Sequence, residues 1–161
     1  MGILQSGFSF YIVPPGVWSA DWAWGLPLIA LTVIIHVLCL GLMNQSSDRV
    51  LRYMTERHHP TVVSVVVMGA TTLLATALHG LEAALWAAAY WFLGAMPDVK
   101  TASLYSLNAI TSYGHEGLFL EPHWRLMGAI EALNGWLLFG LTTAFLFAMT
   151  QRVWLLKSRA K

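Results

Sequence analysis

Three apolar runs, residues 22–43, 61–93 and 126–150, leave this chain few folds to choose from. Each exceeds the roughly 20 residues that a helix needs to cross a hydrocarbon core of about 30 Å. Between the second and third lies a stretch that breaks the pattern. Ser106-Leu107-Asn108-Ala109-Ile110-Thr111-Ser112-Tyr113-Gly114-His115-Glu116-Gly117 is small, polar and glycine-containing. It is too short to span, and too short to be a soluble domain. Irregular backbone at membrane depth is tolerated only where protein buries it or where it lines a water-filled cavity. The segment therefore points to a permeation path, or to the remains of one.

Composition supports a membrane setting. Hydrophobic residues make up 57% of the chain and charged residues 11%, against roughly 25% charged in a soluble domain. The expected fold class is an all-α membrane protein with three transmembrane helices plus one re-entrant pore helix and filter loop per subunit. A net charge of +1 carries no sign of a nucleic-acid partner, and none is expected. The single cysteine, Cys39, excludes an intrachain disulfide and a cysteine metal cluster. No cleavable leader is expected, because the first residues lack a basic stretch and the first apolar run starts late and runs long.

Along the chain, residues 1–21 carry Phe8, Phe10, Tyr11, Trp18 and Pro14-Pro15-Gly16. They read as an extracellular or periplasmic interfacial segment, since aromatic rings favour the headgroup level. The first span, 22–43, has His36 as its only ionisable side chain besides the thiol, with Pro27 near its start. Residues 44–60 form a polar cytoplasmic loop, 61–93 the second span, and 94–100 a turn. Residues 101–117 supply the re-entrant pore helix and filter, 126–150 the third span, and 151–161 a basic cytoplasmic tail. Loop and tail hold Arg49, Arg52, Arg57, Arg152, Lys157, Arg159 and Lys161, seven of the nine basic residues. The positive-inside rule puts both in the cytoplasm, with the N-terminus and the re-entrant loop outside a plasma (inner) membrane.

The order span, short helix, polar loop, span resembles the pore module of small bacterial potassium-channel-like proteins. Residues 91–154 carry the resemblance. Leu104-Tyr105-Ser106-Leu107 leads into Thr111-Ser112, where that family has Thr-Thr. Pro122-His123-Trp124-Arg125-Leu126 resembles its Pro-x-Trp-Arg-Leu junction, and Glu131 to Gly140 resembles its inner helix. The resemblance implies an outer pore helix at 61–93, an inner one at 126–150, and a homotetramer conducting cations.

The filter departs from the family pattern Thr-x-Gly-Tyr-Gly-Asp. An ungapped match lays Ser112, Tyr113, Gly114, His115, Glu116 and Gly117 on those positions. A rival register keeps Tyr113-Gly114 as the Tyr-Gly pair but adds two residues before Trp124; the ungapped one is preferred. Carbonyl-ring filters need backbone dihedrals that glycine adopts cheaply, so Glu116 at the second glycine makes that backbone costlier. Four Glu116 carboxylates could instead form a ring that selects cations and favours divalent ones. His115, with a reference pKa near 6.5, suggests pH-dependent conduction. The candidate filter is thus Thr111 to Gly117, with a permeant monovalent or divalent cation and no other cofactor.

Other residues invite a role. His79 and Glu82 share a face of the second span, as an intramembrane polar site or as a hydrogen-bonded pair; no metal site is assigned to them. Glu131 and Asn134 pair likewise on the third span, where Glu131 could brace the pore helix from behind or face the cavity. His36, alone in mid-span, is expected to bond a neighbouring helix. Gly135 and Gly140 are gating hinges or close-packing points, and Thr142 and Thr143 suit a hydrated cavity unless their hydroxyls bond their own helix. No phosphate loop, nucleophile elbow or paired-His helix is present, so no enzymatic activity is expected. The leading expectation is a tetrameric cation channel in the lipid bilayer. A non-conducting scaffold and a proton-coupled carrier using His79, Glu82 and Glu131 remain open.

Overall fold

A computed structural model describes residues 17–55, 59–114 and 117–159. Four α-helices carry the chain: α1 Val17–Thr55, α2 Pro60–Phe92, α3 Val99–Ile110 and α4 Arg125–Arg159. A 3₁₀ turn, Pro122–Trp124, leads into α4. There is no strand among the described residues. Three helices are long and apolar enough to cross a membrane: Trp18–Met54, Thr61–Phe92 and Pro122–Arg152.

α1, α2 and α4 pack against one another along their lengths. Asp21 near the start of α1 meets Met127 near the start of α4, and Leu51 near the end of α1 meets Val63 and Met149. Hence α1 and α4 run the same way and α2 runs against them. The end holding the start of α1 is here called the top.

Two boundaries differ from the sequence reading. The polar stretch expected as a loop at 44–60 is helical to Thr55. The reason is packing: Leu51 is buried against Val63, Val67 and Met149, so the polar residues ride on a helix that still has an apolar side. Arg152 of α4 donates to Asn44 Oδ1 (2.8 Å) and pairs with Asp48 (3.4 Å), which ties the extensions of α1 and α4 together. Residues 151–159, expected as a tail, thus continue α4. Because α1 already begins at Val17, Pro27 sits inside it rather than near its first turn. There it removes one N–H from the helical ladder.

At the top, α2 ends at Phe92 and the chain reverses through Gly94 (φ 66°). Asp98 caps α3 by accepting the Thr101 N–H (2.9 Å) and the Thr101 hydroxyl (2.7 Å). α3 then descends between α2 and α4. Midway, Ser106 donates to the Ala83 carbonyl of α2 (2.7 Å), and the last residue, Ile110, packs on Ala83 and Leu138. The chain climbs back until Glu121 donates its N–H to the Ala95 carbonyl (3.2 Å). Residues 99–121 therefore begin and end at the same end of the bundle. Trp86, Tyr90, Met96, Tyr105, Trp124, Met127 and Ile130 form the core that seats them.

Candidate functional site

Among the described residues three carboxylates are fully buried, Asp21, Glu82 and Glu131, and the last two each organise a layer. In the middle layer His36 of α1 donates from Nδ1 to Glu82 Oε1 of α2 at 2.7 Å. His79, one turn before Glu82, places Nδ1 3.2 Å from Oε2. The far nitrogens of both rings, His36 Nε2 and His79 Nε2, each lie 3.1 Å from the Thr142 hydroxyl of α4. The side chains close a ring across three helices. His36 and Glu82 are fully buried, and the His79 side chain is 23% exposed.

Protons can be counted around that ring. A neutral imidazole brings one N–H, a threonine one O–H, and an ionised carboxylate none. With both rings neutral and the carboxyl ionised, three protons are available for four contacts, and the three aligned hydrogen bonds take them. His36 Nδ1–H goes to Glu82, the Thr142 hydroxyl to His36 Nε2, and His79 Nε2–H to Thr142. The fourth contact has none left. Glu82 Oε2 accordingly has no hydrogen bond, although His79 Nδ1 stands beside it.

The upper layer is different. Glu131 of α4 accepts from the Tyr90 hydroxyl of α2 at 2.6 Å through Oε2, and its Oε1 contacts the Ser106 hydroxyl of α3. Ser106 also donates to the Ala83 carbonyl. One hydroxyl cannot donate twice, and a carbonyl cannot donate at all. A Ser106 proton committed to the Ala83 carbonyl leaves the Ser106–Glu131 contact to a proton on the carboxyl, which is the arrangement of a neutral Glu131. Glu131 binds α3 to both of its neighbours, behind the candidate filter. It does not join His79 and Glu82, so the grouping a carrier would need is divided between two layers.

Asn134 turns to α1, donating from Nδ2 to Thr32 Oγ1 (2.9 Å). At the top, Asp21 Oδ1 accepts the Met127 N–H (3.0 Å), one of the early α4 donors that its own helix cannot satisfy. Gly135 is a packing point, since a Cβ there would run into the Ile110 carbonyl oxygen. Gly140 faces open space. Thr143 bonds its own helix, donating to the Phe139 carbonyl (2.8 Å), and is exposed, whereas Thr142 belongs to the ring.

The described residues of the candidate filter lie on the outside of the single chain. Thr111, Ser112, Tyr113 and Gly114 are all exposed, Tyr113 by 85%. Ser112 adopts φ 54°, unusual for a residue with a side chain, and Gly114 adopts φ 105°. Trp136 of α4 donates from Nε1 to Ser112 Oγ (2.9 Å) and holds that turn. Gly117 also has positive φ, at 73°. His115 and Glu116 lie outside the described residues. Below the loop, Trp136, Phe139, Gly140 and Thr143 make a continuous exposed face of α4.

His36 makes the bond to a neighbouring helix expected of it, whereas Tyr90, Ser106, Asp21 and Trp136 are participants that the sequence alone did not place. A polar residue buried in one span needs a partner in another. On that rule alone, His36 and the His79/Glu82 pair could have been joined. Nothing comparable marks Tyr90, whose hydroxyl reads from sequence as an interfacial aromatic. Comparison with protein-family models, curated proteins and solved structures finds no match to this chain.

Proposed function

We propose that this chain is the subunit of a cation channel in which four copies surround an axis. Residues 111–117 would form the filter, and α4 the inner wall. The observation that carries the proposal is the course of residues 99–121. A short helix and a loop enter and leave at one end of an apolar bundle, and they leave Thr111 to Gly114 uncovered beside α4. Polar, glycine-containing backbone with no cover inside the chain needs either water or other copies of itself. A single re-entrant segment cannot enclose a path, and cyclic symmetry is the economical closure. Trp136, Phe139, Gly140 and Thr143 would then face the axis, while the Glu131 and His36–Glu82 layers stiffen each subunit behind it. The membrane is read as the plasma (inner) membrane, with the loop outside and the end of α4 in the cytoplasm.

Cation efflux from vesicles holding the purified protein tests this reading. Wild type should release K⁺ or a divalent cation down its gradient. Gly114→Ala, which forces a side chain onto φ 105°, should cut the flux roughly tenfold or more, as strain of about 1–3 kcal/mol implies. Glu116→Gln should shift the preference away from divalent cations. No flux from protein shown to be a folded tetramer would sink the proposal and favour a scaffold.

A further inference from the structure

We propose that His36, His79 and Glu82 bind a divalent first-row transition-metal cation of the Zn²⁺ kind within each subunit, with Thr142 orienting the two imidazoles. One ligand atom from each of the three residues can be chosen so that all lie within 4.8 Å of one another. Two imidazoles and one carboxylate form a recurring zinc donor set, one that leaves room for a fourth ligand. The donors come from α1 and α2 of the same chain, so the site does not depend on the pore reading.

Two observations point to a cation rather than to a structural hydrogen-bond cluster. The first is Glu82 Oε2, a fully buried carboxylate oxygen with no hydrogen bond, aimed at an imidazole nitrogen. With both rings neutral and three protons in the aligned bonds, that nitrogen presents a lone pair. Two electron-rich atoms face each other in an apolar interior, a contact that positive charge between them relieves. The spacing is long for a charge-assisted hydrogen bond and close to that of two ligands on one metal. Charge-assisted N–H···O bonds measure about 2.7–2.9 Å. Two ligands of a tetrahedral zinc, each about 2.1 Å from the metal, stand ~3.4 Å apart. The observed separation is 3.2 Å.

The second observation is Thr142. Its single oxygen stands 3.1 Å from Nε2 of both histidines. A hydroxyl oxygen can accept two hydrogen bonds. With a metal on the Nδ1 side, both rings carry their proton on Nε2, and both donate to Thr142. Metal-bound histidines usually hold their other N–H in this way, which fixes tautomer and ring orientation. For the cation to enter, the 2.7 Å His36–Glu82 hydrogen bond must open as the Nδ1 proton gives way to it. The only donor side chain with exposure is His79, which marks the edge for entry and for a fourth ligand such as water.

Co²⁺, whose visible absorption reports nitrogen and oxygen ligands in a four-coordinate site, is the probe. It would be titrated into untagged, detergent-purified protein and then displaced with Zn²⁺. The expected result is one Co²⁺ per chain with tetrahedral absorption bands. His58→Ala with His59→Ala, two histidines of the polar stretch 44–60 outside the proposed donor set, should leave them unchanged. Glu82→Gln should abolish them while the protein stays folded, because the glutamine amide brings the proton that the fourth contact lacks. Thr142→Val should weaken Co²⁺ affinity about 10–100-fold, the usual effect of losing such a support. Absence of the bands would overturn the proposal. So would bands unchanged in both Glu82→Gln and His79→Ala.

Discussion

Glu82 and Glu131 are the same side chain, on neighbouring helices of one apolar bundle, both with no exposed surface. Their partners make them different groups. Glu131 meets two hydroxyls, those of Tyr90 and Ser106, and each of its oxygens has a partner. Glu82 meets two imidazoles, and one of its oxygens is left over. A buried carboxylate surrounded by hydroxyls is a brace, and one flanked by imidazole nitrogens is poised to take a cation. The residue type does not decide which. The donors carried by the facing helices do.

The sharpest way to break this contrast is to truncate the brace. Glu131→Ala leaves the Tyr90 and Ser106 hydroxyls short of a partner in the core. At about 1–3 kcal/mol for each unsatisfied group, the loss should be about 2–6 kcal/mol, read as a lower unfolding temperature in detergent. Glu131→Gln should cost under about 1 kcal/mol, since its amide can donate to Ser106 and its carbonyl accept from Tyr90, as a neutral acid would. A large penalty for Gln would mean that Glu131 is ionised and that the contrast has been misread.

A second prediction concerns what the brace holds. Gly135→Ala drives a methyl group into the Ile110 carbonyl, which is backbone and cannot step aside. A cost of about 1–3 kcal/mol is expected, as for other overpacked sites, with earlier proteolysis of the loop after α3. Unchanged stability and cleavage would mean that α3 does not sit against α4 there.

The smallest effect lies at the other end of α3. The hydrogen bonds from Thr101, side chain first and then backbone, hold the Asp98 carboxyl below its usual range. A depressed pKa adds stability above the unfolded value, near 3.9, and that stability is lost as pH falls through the folded value. Asp98 is fully exposed, so the effect is slight. Wild type should unfold at a higher temperature than Asp98→Ala at pH 6, and the gap should close below pH 4. A gap independent of pH would mean that the carboxylate charge is not what caps α3.

Much of the architecture was legible in the residues. The lengths of three apolar runs led directly to α1, α2 and α4, and the short run at 101–112 to a separate helix. Where reading stopped short, tertiary contacts were the reason. Residues 44–55 look like a loop until Leu51 is seen to have Val63 and Met149 to pack on. The His79/Glu82 pair shows in the sequence because both lie on one helix face. The third donor, His36, is 46 residues from Glu82, and only the antiparallel packing of α1 on α2 brings them to 2.7 Å. The protonation pattern was hidden altogether, since it depends on Ser106 and Thr142 arriving from α3 and α4.

Single-channel recording across a planar bilayer tests the central claim most directly. It would use purified protein under K⁺/Na⁺ and K⁺/Ca²⁺ gradients. Thr143→Cys and Leu73→Cys, each in a Cys39→Ala background, would be exposed to a cationic thiol reagent. The account predicts discrete openings with a cation reversal potential, and their block by the reagent in Thr143→Cys. Leu73→Cys, whose side chain lies 73% exposed on α2, should be untouched. Silence from folded tetramer, or openings indifferent to a modified Thr143→Cys, would contradict a conducting path along this face of α4.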